Sequence, residues 1–245
     1  PVRCRRGLVQ RCLPVSCTRG YERAWNLNGK RKALAAKRGW SRFVAAEKRE
    51  IKDTASRVPI ILINRIAIMR VITGKYKGRH FDIPRTFKAR PTTDFAKENL
   101  FNVLNSYMDW EEEPVALDLF AGTGSITLEL LSRGCSRVIS VEKDPLHFKF
   151  IKEFIDKLQD LSAIPIKGDV FKYISQCREQ FDFIFADPPY VLKEIPELPD
   201  MILERNLLKE DGLLVVEHGK DHNFSQHPRF VEHRHYGSVN FSFFQ

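Results

Sequence analysis

The chain of 245 residues is 43% hydrophobic and 29% charged with a formal net charge of +9, enough apolar material for one sizeable core and not the composition of a fibre, a repeat array or a disordered tail. Its longest apolar stretch, Val58 to Ile68, is broken by Asn64 and Arg65 and is shorter than the roughly 18 to 20 residues of a membrane span. Five cysteines without a CxxC pair argue against a disulfide framework and a structural zinc site, so the expected setting is reducing and cytoplasmic, with Cys135 and Cys177 as small core residues.

Residues 1–68 hold 17 lysines and arginines against 4 acids, and residues 69–245 hold 23 against 27. All of the basic excess therefore sits in a segment with no hydrophobic period over any long window. Met69 stands directly before a strand pattern, and the expectation is that the native domain starts there, with 1–68 as a leader or upstream sequence. A basic nucleic-acid-binding arm and an Arg-rich transit peptide are the alternatives, while a secretory signal is disfavoured because no apolar run follows the early arginines.

Arg70–Thr73 and Arg79–Ile83 are β-prone runs around a Gly-Lys-Tyr-Lys-Gly turn and predict a hairpin carrying Arg70, Lys75, Lys77 and Arg79. Pro91-Thr92-Thr93-Asp94 predicts a helix start, with Phe95, Phe101, Leu104 and Met108 as its apolar face before the acidic turn Glu111–Pro114. From Val115 short apolar strands alternate with amphipathic helices, the pattern of an α/β layer with a mostly parallel sheet. The expected strands are Val115–Phe120, Arg137–Glu142, Ile164–Lys167, Phe181–Ala186 and Leu213–Glu217. Asp144 and Pro145 open a helix in which Phe148, Ile151, Ile155 and Leu158 recur at helical spacing. Phe230–Tyr236 and Ser238–Phe244 leave no room for a crossover helix and predict an antiparallel hairpin.

Three motifs fall at strand ends. In Leu117-Asp118-Leu119-Phe120-Ala121-Gly122-Thr123-Gly124, the glycines let the backbone approach a ligand, and Glu142, twenty residues beyond Gly122, is placed to accept ribose hydroxyls. The third glycine of GxGxxG and a phosphate-loop lysine are both missing, which favours an adenosyl group without phosphates. Asp169 can accept the amine of an adenine with Val170 or Phe171 on the ring, or cap the next short helix; both readings stand. In Asp187-Pro188-Pro189-Tyr190, the prolines stiffen a loop that presents the Asp187 carboxylate and Pro188 carbonyl as acceptors for an exocyclic amine, and Tyr190 offers a face for a flipped base. His218, His222, His227, His233 and His235 form no convincing ligand set and read as surface or strand residues, so no metal is assigned.

Met69-Arg70-Val71-Ile72 with Gly78-Arg79, Arg90-Pro91-Thr92-Thr93-Asp94, Leu100-Phe101-Asn102, the 117–124 segment and Asp187-Pro188-Pro189-Tyr190 together resemble the RsmD-type methyltransferases of bacterial 16S ribosomal RNA. The resemblance covers residues 69–245, with one departure at Phe95-Ala96, where an Arg-Val pair is expected. It implies a class I S-adenosylmethionine-dependent, Rossmann-like α/β fold whose mostly parallel seven-stranded sheet ends in an antiparallel hairpin, preceded by a small hairpin and helix subdomain at 69–114, with the methyltransferase domain at 115–245. It also implies methylation of a guanine N2 amine in 16S rRNA, within a small ribosomal subunit or an assembly intermediate, by a monomer without metal or membrane. Asp187, Pro188 and Tyr190 would be catalytic. Asp118, Phe120, Ala121, Gly122, Thr123, Gly124, Glu142, Asp169 and Val170 would bind S-adenosylmethionine. Arg70, Lys75, Lys77, Arg79, Lys88, Arg90, Thr92 and Thr93 would face the RNA. An adenine-N6 DNA or RNA methyltransferase, which could use the same tetrapeptide, and a non-catalytic ribosome-assembly factor are the competing readings.

Overall fold

The computed structural model describes residues 67–87 and 93–245. The basic segment up to residue 66 and the expected RNA contacts Lys88, Arg90 and Thr92 lie outside the described residues. The short strands β1 (Ala67–Arg70) and β2 (His80–Ile83) form an antiparallel hairpin, Ala67 facing Ile83 and Arg70 facing His80. Helix α1 (Asp94–Leu104) follows, capped by the Thr93 hydroxyl, which accepts from the Ala96 N–H.

The main sheet has seven strands: β3 (Val115–Leu119), β4 (Arg137–Glu142), β5 (Ala163–Lys167), β6 (Phe181–Ala186), β7 (Leu208–His218), β8 (Phe230–Tyr236) and β9 (Val239–Phe244). Their spatial order is β5-β4-β3-β6-β7-β9-β8. The first five run parallel and β9 is antiparallel to both β7 and β8. Strands covered on both faces read as unbroken apolar runs, and Val115–Leu119 and Phe181–Ala186 are the two adjoining central strands. The intervening helices are α2 (Ser125–Arg133), α3 (Pro145–Leu158), α4 (Val170–Gln176) and α5 (Leu198–Glu204).

One face of the sheet packs Leu100, Phe101 and Leu104 of α1 and Ile126 and Leu130 of α2 against Phe183, Phe185 and Phe243. The other packs Ile174 of α4 and Leu198 and Ile202 of α5 against Leu119, Val141 and Val216. A third cluster joins Met69, Val71 and Ile83 of the hairpin region to Leu128 of α2 and to Ile151 and Phe154 of α3. The chain leaves β3 towards β4 and β5, then returns to β6 on the other side of β3. That reversal opens a crevice at the carboxyl ends of β3 and β6, where open α/β sheets bind ligands.

The first strand differs from expectation. It ends at Arg70 and starts at Ala67, so Ala67 and Ile68 lie in the strand while Ile72 and Thr73 do not. The Ile72 and Thr73 N–H groups donate instead to the two oxygens of the Glu129 carboxylate on α2, at 2.8 and 3.0 Å. Glu129 is fully buried and also accepts from Arg133 Nε at 3.2 Å. Beside it, Lys97 of α1 is equally buried, and its ammonium donates to the Arg70 carbonyl and the Ser125 hydroxyl and lies 4.0 Å from Glu129. Burial pulls the Lys97 pKa down, and Glu129 opposes that shift.

Phe95 is not part of the buried face of α1: it is 63% exposed, and Met108 lies beyond the helix end. Strand β7 begins five residues earlier than expected, and α5 is an addition to the predicted elements. Cys135 and Cys177 are buried free thiols. No helix among the described residues is long and apolar enough to cross a membrane.

Removing one member of a buried charge group leaves the others uncompensated, at about 3 to 5 kcal/mol. Glu129→Ala is therefore expected to lower the unfolding free energy by about that amount in urea titrations. A loss below about 1 kcal/mol, the scale of an exposed pair, would show that the knot contributes little.

Candidate active site

A cavity of about 1190 Å³ opens at the carboxyl ends of β3, β4, β6 and β7. Its floor is the turn after β3. Phe120 adopts φ 61° and Gly122 φ 54°, and nothing but the Phe120 carbonyl comes within 4 Å of where a Gly122 side chain would start. Gly122 thus keeps open space over the turn, whereas Gly124 does not line the cavity. Gly124 has φ 73°, and a Cβ there would meet the Phe154 ring at 2.7 Å. Its small size serves the packing of α2 on α3.

Each carboxylate of the cavity is fixed differently. Asp118 is buried, and its Oδ2 accepts from the Thr127 N–H at 2.9 Å and the Thr127 hydroxyl at 2.5 Å. Burial pushes its pKa up to about 7 despite those two bonds, and Glu142 adds to the rise. Glu142, at the end of β4, accepts the Gly122 N–H on one oxygen and the Asp144 N–H on the other, both at 2.7 Å. Asp169 caps α4, accepting from the Phe171 and Lys172 N–H groups at 3.1 and 3.3 Å, and pairs with Lys143 at 2.9 Å. The Lys143 hydrogen bond holds the Asp169 carboxyl below its usual range. The capping alternative is therefore realised in the geometry, with Phe171 presented edge-on to Phe120 at 6.1 Å.

Asp187 continues the sheet by one residue, its N–H donating to the Leu119 carbonyl at 3.2 Å. Among the described residues, no group donates a hydrogen bond to its carboxylate. Burial raises its pKa well above the usual range, and Glu217 and Asp118 raise it further. Tyr190 is half-exposed, and its hydroxyl donates to Glu217 Oε1 at 3.2 Å. Pro188 is buried.

Sequence reasoning missed Glu217, which is 4% exposed and whose pKa burial pushes up to about 7 against the Tyr190 bond. The signal was present: Leu213–Val216 is an apolar strand ending on an acid, as β4 ends on Glu142 and β6 leads into Asp187. Also missed was the β8–β9 turn, Tyr236 to Val239, which forms part of the wall with Thr93 and Phe95. Tyr236 meets Phe95 edge-to-face at 6.3 Å. His218, one of the histidines read as surface or strand residues, is the last residue of β7: it is 1% exposed, bonded to the Gly219 carbonyl and the Ser242 hydroxyl. No group of three or more His, Cys, Asp or Glu side chains among the described residues could hold a metal.

Of the cations expected to face RNA, the described ones, Arg70, Lys75, Lys77 and Arg79, lie outside the cavity lining. Arg70 pairs with Asp94 at 3.3 Å, and Lys75 with the nearly buried Asp160 at 2.9 Å. Lys75 and Arg79 flank the Tyr76 ring at 5.0 and 5.3 Å, and Lys77 is exposed. Thr93 is at the cavity wall as the α1 cap.

The family described as Conserved hypothetical protein 95 matches residues 69–245. Ribosomal RNA small subunit methyltransferase D of Haemophilus influenzae is 34% identical over 157 residues, covering 62% of this chain and 80% of that protein. The chain belongs to the RsmD-type methyltransferase family. The family member of the same name from Escherichia coli is 28% identical over 149 residues, 61% of this chain and 74% of that protein. A solved structure of a hypothetical protein from Thermus thermophilus aligns with TM-score 0.63 at 28% identity, over 72% of this chain and 98% of that one. The solved yhhF structure from Escherichia coli, TM-score 0.64 at 24% identity over 73% of this chain and 98% of that one, shares the fold. That fold is the class I methyltransferase architecture.

The raised pKa of Asp118 has a consequence for stability. Its folded carboxyl keeps a proton up to about pH 7, whereas an unfolded one releases it near pH 4. Between those values the folded chain binds more protons, so this group makes stability fall as pH rises. Asp118→Asn is expected to make that fall shallower by up to about 1.4 kcal/mol per pH unit between about pH 4 and 7, read from urea midpoints. An unchanged slope would show that Asp118 titrates normally.

Proposed function

We propose that the protein transfers a methyl group from S-adenosylmethionine to the exocyclic N2 amine of a guanine in small-subunit (16S) ribosomal RNA. The observation that supports it most is the Asp187 carboxylate, held without a donor among the described residues at the end of β6, in the same cavity as Glu142 and the open Gly122 turn. The names of the relatives, ribosomal RNA small subunit methyltransferase D, support the RNA substrate.

The cavity residues fit the methyl donor. Both Glu142 oxygens are aimed by backbone N–H groups and keep lone pairs for two ribose hydroxyls. The bare Gly122 turn leaves room for the chain's closest approach, and Phe120 and Phe171 supply apolar faces beside it. When bound, this group supplies an already activated methyl on a sulfonium. The protein's part is then proximity and orientation rather than strong base catalysis. Asp187 and the Pro188 carbonyl accept the two amine hydrogens, which turns the nitrogen lone pair towards the methyl. Tyr190, its hydroxyl tied to Glu217, offers the ring on which the flipped base lies. Asp187 takes up the amine proton after transfer, a role suited to a carboxyl whose proton affinity is already raised by burial. The machinery thus lies within residues 69–245, with 69–114 towards the RNA and the basic residues 1–68 outside it.

The deciding experiment is tritium transfer from S-adenosylmethionine to small subunits with nucleoside analysis of the product. N2-methylguanosine is expected; N6-methyladenosine would transfer the reading to adenine, and no incorporation would favour a non-catalytic assembly factor. Asp187→Ala is expected to abolish transfer while cofactor affinity stays within a few-fold, whereas Glu142→Ala should weaken cofactor binding by about 1.5 to 3 kcal/mol in calorimetry.

The hairpin cations are proposed to contact the phosphate backbone. Because Lys75 is already paired with Asp160, replacing Lys75, Lys77 and Arg79 together should flatten the salt dependence of RNA binding by about 1.4 to 1.8 units of slope, the share of two phosphate contacts. A slope equal to the parent's would move the RNA face elsewhere.

A further inference from the structure

We infer that Glu217 is a specificity-determining residue, a second acceptor beside Asp187 that selects a base whose ring carries an N–H donor next to the methylated amine. The inference rests on the reading that Asp187 holds that amine. Ala186 of β6 and Val216 of β7 are register partners on parallel strands, and Asp187 and Glu217 are the next residue on each. Residues at one register position leave the same face of a sheet, so the two carboxylates stand side by side, one strand spacing of about 4.8 Å between their backbones. Both line the cavity.

The hydrogen bonding of Glu217 is incomplete. Its Oε1 accepts the Tyr190 hydroxyl, while Oε2 is buried with no partner among the described residues. A buried oxygen without a donor costs free energy, and a substrate edge that supplies the donor recovers it. Guanine fits that need: its pairing edge places N1–H directly beside the N2 amine, two adjacent donors for two adjacent acceptors. Adenine flanks its amine with the acceptors N1 and N7, and cytosine flanks its own with N3. Either would set a ring lone pair against the Glu217 oxygen and leave both groups unpaired, the kind of mismatch on which enzymes discriminate most strongly. Even when the acidic pair shares one proton, each carboxyl retains an acceptor oxygen.

The probe is 2-aminopurine placed at the target position of a small-subunit RNA fragment, since it keeps the amine at C2 but has no hydrogen on N1. The wild-type chain is expected to methylate the guanine RNA with a kcat/KM at least about 100-fold above that for 2-aminopurine RNA. Because 2-aminopurine also lacks the oxygen at C6, the decisive quantity is how this ratio moves in Glu217→Gln, whose amide can donate to an unprotonated N1. A drop of the ratio by about 10-fold or more supports the inference, with cofactor affinity and thermal midpoint confirming that the variant is folded. If Glu217→Gln fails to fold, Glu217→Ala, which removes the opposed acceptor, should narrow the ratio in the same direction. Tyr190→Phe, which keeps the carboxylate but loses the hydroxyl bond to it, should lower rates while preserving the ratio; a ratio lost equally there would make Glu217 a positioning residue for Tyr190 and overturn the inference. Wild-type rates within three-fold on the two RNAs, or a ratio unmoved by a folded Glu217 variant, would also overturn it. Failure to methylate guanine RNA at all would sink the functional reading itself, an outcome distinct from equal use of both bases.

Discussion

Two central strands covered on both faces leave polar side chains few places to go. In β3 and β6 nearly every position is packed against helices, so the chemistry of this region is driven to the carboxyl ends, where the crossovers part in opposite directions. Six acids line that opening, among them Asp118, Glu142, Asp187 and Glu217. Each of these four is accommodated by a distinct means. Glu142 is held by backbone N–H groups, Asp118 by a threonine, Glu217 by a tyrosine hydroxyl, and Asp187 by none of these among the described residues. Burial favours the neutral forms of Asp118, Asp187 and Glu217, and neighbouring acids add to the raised proton affinity at Asp118 and Asp187.

Local signals made much of this legible from the sequence. Arg137–Glu142 and Phe181–Ala186 appear as predicted because a parallel strand buried on both faces is an apolar run with sharp ends. Pro145–Leu158 appears because its cap, its proline and its apolar stripe agree. What the local signals leave out is a partner distant in the chain. The first strand stops early because Glu129, 57 residues beyond Ile72, takes its N–H groups. A side chain at Gly124 would meet the Phe154 ring, and His218, at the end of its strand, is drawn inside by Ser242 across the β7–β9 pair. Asp169 carried two readings in the sequence, and the cap geometry shows why: one carboxylate oxygen meets two helix N–H groups while the other meets Lys143. Glu217 escaped notice since an acid after an apolar run is common, and only the strand register sets it beside Asp187.

The Glu129 knot links the hairpin to the body of the domain. Through one carboxylate it fastens Ile72, Thr73 and Arg133, and through Lys97 it reaches the backbone at Arg70 and the Ser125 hydroxyl at the start of α2. Ser125 also lies at the cavity wall, so the hairpin and the turn after β3 share a rigid neighbour. A buried charge group is weak evidence for net stability, since apolar side chains of equal volume often do as well. Its better-supported contribution here is to fix where the hairpin docks, because a carboxylate with three donors and a nearby ammonium around it admits few alternative arrangements.

The insertion of β9 between β7 and β8 has a bearing on biosynthesis. Phe241, Phe243 and Phe244 are fully buried, and they cover both faces of the sheet beside the strand that bears Glu217. Until residues 239–244 have emerged from the ribosome, β7 is an open edge with unsatisfied backbone groups, a template for pairing with other chains. Closure of the site therefore waits on residues 239–244. A nascent chain that already contains every strand-end acid still holds an incomplete wall, and it is exposed to misassembly for that interval.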